Sequence, residues 1–126
     1  MRLLLDTAAF IWAASSPEKL SRAAMSAMRS ESAVREISAV SLSEIAIKQS
    51  IGKLAFDKND VATALADLQV RVLAFTAEHA FRLFDLPLYH PDPFDRQIIA
   101  QALSEEVAVV TSDEKFRLYE GIKVVW

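Results

Sequence analysis

Short runs rich in Leu, Ile and Val alternate along this chain with stretches whose apolar residues recur every three or four positions. Leu3–Leu5, Ile37–Val40, Arg71–Phe75, Val107–Thr111 and Ile122–Val125 predict strands; all but the third have few polar interruptions, as strands covered on both faces do. Helical spacing predicts helices near 18–31 (Leu20, Ala23, Ala24, Ala27, Met28), 60–69 (Val61, Ala64, Leu65, Leu68), 77–85 (Ala77, Ala80, Phe81, Phe84) and 93–105 (Phe94, Ile98, Ile99, Ala102, Leu103). Their apolar stripes are read as core. Pro17, Pro87, Pro91 and Pro93 fall between periodic segments, where proline is tolerated. The alternation predicts an α/β fold in one domain, 1–126: a central, mainly parallel five-stranded sheet between two helical layers.

Composition narrows the classes. With 126 residues, 52% hydrophobic and 25% charged, the chain is too apolar for disorder and suits one core. It has no cysteine, hence no disulfide framework and no thiolate metal site, and a cytoplasmic location fits best. No apolar run approaches the ~20 residues of a membrane span, and Met1–Asp6 is too short and too early-charged for a signal peptide. The net charge of -3 counts against nucleic-acid binding unless bound metal neutralises several acids.

The carboxylates are placed unusually. Asp6 closes the first strand, Glu44 lies one helical turn past the second, and Asp113 sits just beyond Val107–Thr111. Asp95 is in the first turn of the 93–105 helix. In an open parallel sheet the carboxyl ends of the strands form one edge, where ligand sites collect. Each acid also has a local role. Ser41 with Glu44 reads as a capping box, Asp92-Pro93-Phe94-Asp95 as a helix start, Asp113 as the cap of a short Glu114–Leu118 helix, and Asp6 as the start of a turn. Together they imply more. Two carboxylates ~4 Å apart repel by about 4 kcal/mol at an effective dielectric near 20, so an acidic cluster calls for a cation. All-oxygen ligands suit Mg²⁺ or Mn²⁺, which supports hydrolysis of phosphodiesters. His79 and His90 match no metal spacing and are read as structural or surface residues.

MRLLLDT, SLSEIAIKQSIGKL, LPLYHPDPFDRQIIAQAL, VVTSDEKF and the closing VVW, in that order over the whole chain, resemble the PIN-domain nucleases, above all the VapC-type toxins of bacterial toxin–antitoxin pairs. The DPFDR stretch with its downstream TSD is the most specific part. The resemblance implies an α/β/α fold and a Mg²⁺- or Mn²⁺-dependent ribonuclease acting on RNA, with an antitoxin partner and a homodimeric state. It places the four acids of the pattern on Asp6, Glu44, Asp95 and Asp113. Thr111 and Ser112 take the hydroxyl position that in such proteins can bond a carboxylate or a metal-bound water. Asp92 reads as an N-cap or as an outer acid of the site, and Arg96 as a partner of a carboxylate or of substrate phosphate. Lys48 and Lys53 are candidate RNA contacts.

Two other readings fit the residues less well. A phosphoryl-transfer domain of the dehalogenase type needs an acid two residues after the first, where Ala8 stands; a receiver needs one after the third strand, where Thr76 stands. A non-catalytic interaction module does not call for four intact acids. Apolar residues spread widely around Leu42–Leu54, and Phe10, Ile11 and Trp12 are consecutive. This surplus reads either as a helix sandwiched between neighbours inside the domain or as a partner surface: a dimer contact through Ile47 and Ile51, and an antitoxin groove lined by Trp12 and the 42–54 helix.

Overall fold

The computed structural model describes all residues from Met1 to Trp126. Strands β1 (Arg2–Leu5), β2 (Val34–Ser38), β3 (Val70–Leu73), β4 (Ala108–Val110) and β5 (Lys123–Val125) form a wholly parallel sheet in the order β3-β2-β1-β4-β5. Between them run α1 (Thr7–Ser15), α2 (Arg22–Arg29), α3 (Ala39–Ser50), α4 (Lys58–Asp67), α5 (Ala77–Arg82) and α6 (Pro93–Glu105). Tight 3₁₀ turns occupy Pro17–Lys19, Leu83–Asp85 and Glu114–Leu118.

Side chains alternate across each strand, so the sheet splits the core in two. Leu3, Leu5, Ile37 and Val110 face one way and pack with Phe10, Met28 and Ile45; Phe10 meets Phe56 edge-on. Leu4 and Val109 face the other way, onto Ile98, Ile99 and Phe116. The chain builds outward from β1 to β2 and β3, then returns to the far side of β1 for β4 and β5. Connections therefore leave β1 and β4 in opposite directions, and a crevice opens beyond the carboxyl ends of those two strands.

Several elements differ from the sequence expectation. The second strand covers Val34–Ser38, not Ile37–Val40: the Ser38 hydroxyl accepts from the Val40 N–H at 3.0 Å and starts α3 there. The 18–31 helix is broken, because the Pro17–Lys19 turn ends before Ser21 caps α2, and Ala23 faces solvent. The helix α1 was not among the predicted elements; within it Phe10 is fully buried, while Ile11 and Trp12 are half-buried and Trp12 packs on Trp126. The expected core stripe of the 77–85 helix points outward, with Phe81 in α5 and Phe84 in the following 3₁₀ turn 69% and 84% exposed and stacked on each other. A reciprocal cap between Thr76 and His79 sets the rotation of that helix, and His79 turns inward to Glu105 at 2.9 Å.

At the end of α3, Gly52 adopts φ +74 and lets Lys53 N–H return to Lys48 C=O at 2.8 Å. A β-carbon at Gly52 would meet nothing within 4 Å. Gly52→Ala should therefore lower stability by about 1 kcal/mol through backbone strain alone, read as a lower thermal midpoint with an unchanged circular dichroism spectrum.

Candidate active site

The crevice beyond β1 and β4 is ringed by helix starts, and acids occupy their capping positions. Asp6 follows β1 directly and caps α1, its Oδ1 accepting from Ala9 N–H at 2.8 Å. Asp92 caps α6 by accepting from Phe94 N–H at 2.8 Å and Asp95 N–H at 3.0 Å, which places Asp95 in the first turn. Past β4, Asp113 caps the Glu114–Leu118 turn through Lys115 N–H at 2.9 Å. The N-terminal ends of these segments carry unpaired N–H groups that favour negative charge. Glu44 reaches in from the second turn of α3 and is buried.

Asp6, Glu44, Asp95 and Asp113 lie close enough to act on one another. Burial pushes the Asp6 carboxyl up to about 6; the Thr111 hydroxyl and the Ala9 N–H oppose the rise, and the charges of Asp113 and Glu44 add to it. Burial, then the charges of Asp92, Asp6, Glu44 and Asp113, push Asp95 up to about 7. Asp113 goes the other way. Its burial favours the neutral form, but bonds from Lys115 N–H and His90 outweigh it and hold the group below the usual carboxylate range. Glu44 accepts from the Thr7 hydroxyl at 2.6 Å and from Lys48 Nζ at 2.6 Å. That contact with Glu44 raises the Lys48 pKa, helped by Asp92 and Asp95.

Sequence reasoning assigned no site role to three residues found here. Thr7 sits between Glu44 and Ser41, whose hydroxyl is 2.9 Å away. His90 is buried, with Nε2 2.7 Å from Asp113 Oδ2 and 3.2 Å from Asp95 Oδ2. Its other ring nitrogen, Nδ1, accepts from Asp92 N–H at 3.1 Å. Tyr119 ties down the loop that carries His90: its hydroxyl accepts from Tyr89 and His90 N–H at 3.1 and 2.9 Å and donates to Pro87 C=O at 2.8 Å. The His90-x-Asp92 spacing is the one local signal of this arrangement, since a ring can accept from the amide two residues on.

Other expected residues take different places. Arg96, expected to meet a carboxylate or phosphate, instead donates to the carbonyls of Leu86 at 3.2 Å and Pro87 at 2.9 Å and clamps the same loop. Asp92 is an N-cap. Thr111 is buried beside Asp6 and also accepts from Asp113 N–H at 3.0 Å, whereas Ser112 is exposed. Lys48 is engaged by Glu44, and Lys53 is exposed beyond the end of α3. His79 is structural, bonded to Thr76 N–H and Glu105 on another part of α6.

The donor set fits a hard cation. It consists of converging carboxylates, two of them shifted towards the protonated form by mutual repulsion and burial, and the chain's own ammonium group at Lys48 is drawn onto a third. One ligand atom each from His90, Asp95 and Asp113 lie within 4.8 Å of one another.

A family model described as PIN domain matches residues 3–122. No curated protein matches the sequence. Among solved structures, the fold is similar to VapBC-1 from nontypeable Haemophilus influenzae, with a TM-score of 0.70, 16% identity and coverage of 98% of this chain and 96% of that one. It is also similar to VapBC2 from Rickettsia felis bound to a promoter DNA fragment (0.69, 18%, 98% and 97%). DNA-bound VapBC from Salmonella typhimurium gives 0.68, 17%, 98% and 96%. At such identities these likenesses speak for the fold alone.

The raised carboxyls make stability depend on pH. A group whose folded pKa lies above its unfolded value of about 4 stabilises the fold in its protonated form; that contribution is full below pH 4 and lost as pH rises through the folded value. Stability of the metal-free protein should fall between about pH 4 and pH 7, by roughly 2 kcal/mol or more in total. Asp6→Asn, which retains a capping side chain, and Asp95→Asn should flatten this slope and raise the thermal midpoint at pH 8. Calorimetry in EDTA across pH 4–8 checks it; a variant with the wild-type slope would show that the carboxyl is not under this repulsion.

Proposed function

We propose that this chain, which belongs to the PIN-domain family, is a Mg²⁺- or Mn²⁺-dependent endoribonuclease and the toxin of a toxin–antitoxin pair. The observation that carries the reading is the gathering of Asp6, Glu44, Asp95 and Asp113 at the crevice beside β1 and β4, with two of the four shifted strongly towards neutrality. In this reading those four carboxylates hold the cation. A divalent ion bound there supplies charge stabilisation of the phosphate and a nucleophilic water at neutral pH.

The chain's own groups prepare that site. Thr7, itself bonded to the Ser41 hydroxyl, fixes one oxygen of Glu44, while Ala9 N–H and the Thr111 hydroxyl hold Asp6, so neither carboxylate needs to reorganise. Lys48 is half-exposed beside Glu44 and is placed to meet a substrate phosphate once Glu44 has another cation to neutralise it. Lys53 extends this basic side. Purified protein should cleave RNA to products with a 5′-phosphate and a 3′-hydroxyl, EDTA should stop the reaction, and Asp6→Asn or Asp95→Asn should remove nearly all activity. Detection of 2′,3′-cyclic phosphate ends would sink the hydrolytic mechanism, since they require attack by the RNA's own 2′-hydroxyl.

Likeness to the fold of VapBC toxin–antitoxin complexes supports a protein antitoxin as partner. A cleft of about 450 Å³ between α3 and α4, lined by Leu42, Ile45, Ala46, Phe56, Val61 and Leu65, suits the apolar face of such a partner. Trp12 does not line it, so the groove differs from the one the sequence led us to expect. Ile47 on α3 and Ile51 just past its end, 47% and 60% exposed, support a homodimer. The exposed Ala46 can accept a longer side chain without disturbing the core. Ala46→Glu should leave ribonuclease activity within about twofold of wild type, as surface changes usually do to stability, yet abolish inhibition by the product of an adjacent antitoxin gene. Full inhibition of this variant would rule the cleft out.

A further inference from the structure

His90 stands apart from the four acids in its chemistry, and its bonding leaves little freedom. A backbone N–H can only donate, so His90 Nδ1, at 3.1 Å from Asp92 N, must present its lone pair. The ring proton is then on Nε2, which points between Asp113 Oδ2 at 2.7 Å and Asp95 Oδ2 at 3.2 Å. That N–H donates to Asp113, past β4, and the same nitrogen lies close to the Asp95 carboxylate on α6. The ring itself is held on all sides. Phe116 packs against it at 5.7 Å, edge to face, Tyr119 Oη accepts from its backbone N–H at 2.9 Å, and Arg96 binds the carbonyls of Leu86 and Pro87 just before it.

From this geometry we infer that His90 is a positioning residue: its Nε2–H holds Asp113 while its ring stands against Asp95, so that the two carboxylates are set for the divalent cation, and it does not itself ligate the ion. The inference rests on the functional reading above and adds a residue to it. Direct ligation through Nε2 would require the proton to move to Nδ1, where it would face the Asp92 N–H, and the cap of α6 would lose a neighbour that fixes its backbone. Donation to carboxylates is the arrangement by which outer groups hold metal-binding side chains in place, and loss of such a group weakens metal binding or activity by about 10–100-fold.

The test combines calorimetric titration of Mn²⁺ with ¹⁵N spectroscopy of the imidazoles. His90→Ala should bind Mn²⁺ about 10–100-fold more weakly than wild type. His90→Gln, whose amide N–H falls near the position of Nε2, should recover most of the affinity, which lost packing alone does not explain. In the wild-type spectrum His90 should be protonated at Nε2 both without metal and with saturating Mg²⁺. His79, which accepts at Nδ1 from Thr76 N–H and faces Glu105 through Nε2, serves as an internal reference that the metal should not move. Transfer of the His90 proton to Nδ1 on adding Mg²⁺ would identify the ring as a ligand and overturn the proposal. Unchanged Mn²⁺ affinity in His90→Ala would also overturn it. If His90→Ala does not fold, the wild-type spectra still decide. A wild-type protein that binds no Mn²⁺ would overturn the functional reading and this proposal with it, whereas the two preceding outcomes overturn this proposal alone.

Discussion

Repulsion among partly buried carboxylates is the constraint to which the carboxyl-terminal edge of this sheet answers. Bringing Asp6, Glu44, Asp95 and Asp113 together is unfavourable by several kcal/mol in a medium less polar than water. The molecule offsets this with groups already at hand. Three helical segments start at the crevice; Asp6 and Asp113 accept from free N–H groups of two of them, so there capping and charge stabilisation are the same hydrogen bonds, while Asp92 caps the third. Burial first, and then the charges of the neighbouring acids, leave the Asp6 and Asp95 carboxyls raised, to about 6 and about 7.

The order of strands decides that the repulsion occurs here. β1 and β4 are neighbours although roughly a hundred residues of chain separate them, and the connections that follow them run to opposite sides. Asp6 and Asp113 follow those two strands directly. Packing of Ile98 and Ile99 against Leu4 and Val109 fixes α6 across the sheet and delivers Asp95 to the same place. The core is thus what holds like charges near one another, and apolar burial supplies the free energy that electrostatics opposes.

The two histidines show one bonding pattern put to two uses. Each accepts a backbone N–H at Nδ1 and turns Nε2 towards a carboxylate. At His79 the carboxylate is Glu105, which also binds Arg2, itself paired with the buried Glu36, and the result is a network that ties α5, α6, β1 and β2. At His90 the carboxylates belong to the crevice. Residue type and local backbone are alike; what differs is which charges lie opposite.

Much of this was legible in the sequence. The period of apolar residues placed four of the five strands and the helix Pro93–Glu105, and Asp92-Pro93 marked its start, because caps and stripes depend on residues a few positions apart. The acids could be read as an edge cluster from their places after strands. Tertiary structure alone decided the rest. Phe81 and Phe84 turned outward because His79 found Glu105, 26 residues away. Arg96 became a clamp on carbonyls, and His90 met Asp113 across 23 residues. Such pairings depend on how loops return across the sheet, and no periodicity in the chain records them. The sequence by itself determined which residues carry charge and which of them follow strands or open the Pro93–Glu105 helix; the fold decided which of those charges face each other, since only packing brings distant segments within hydrogen-bonding range.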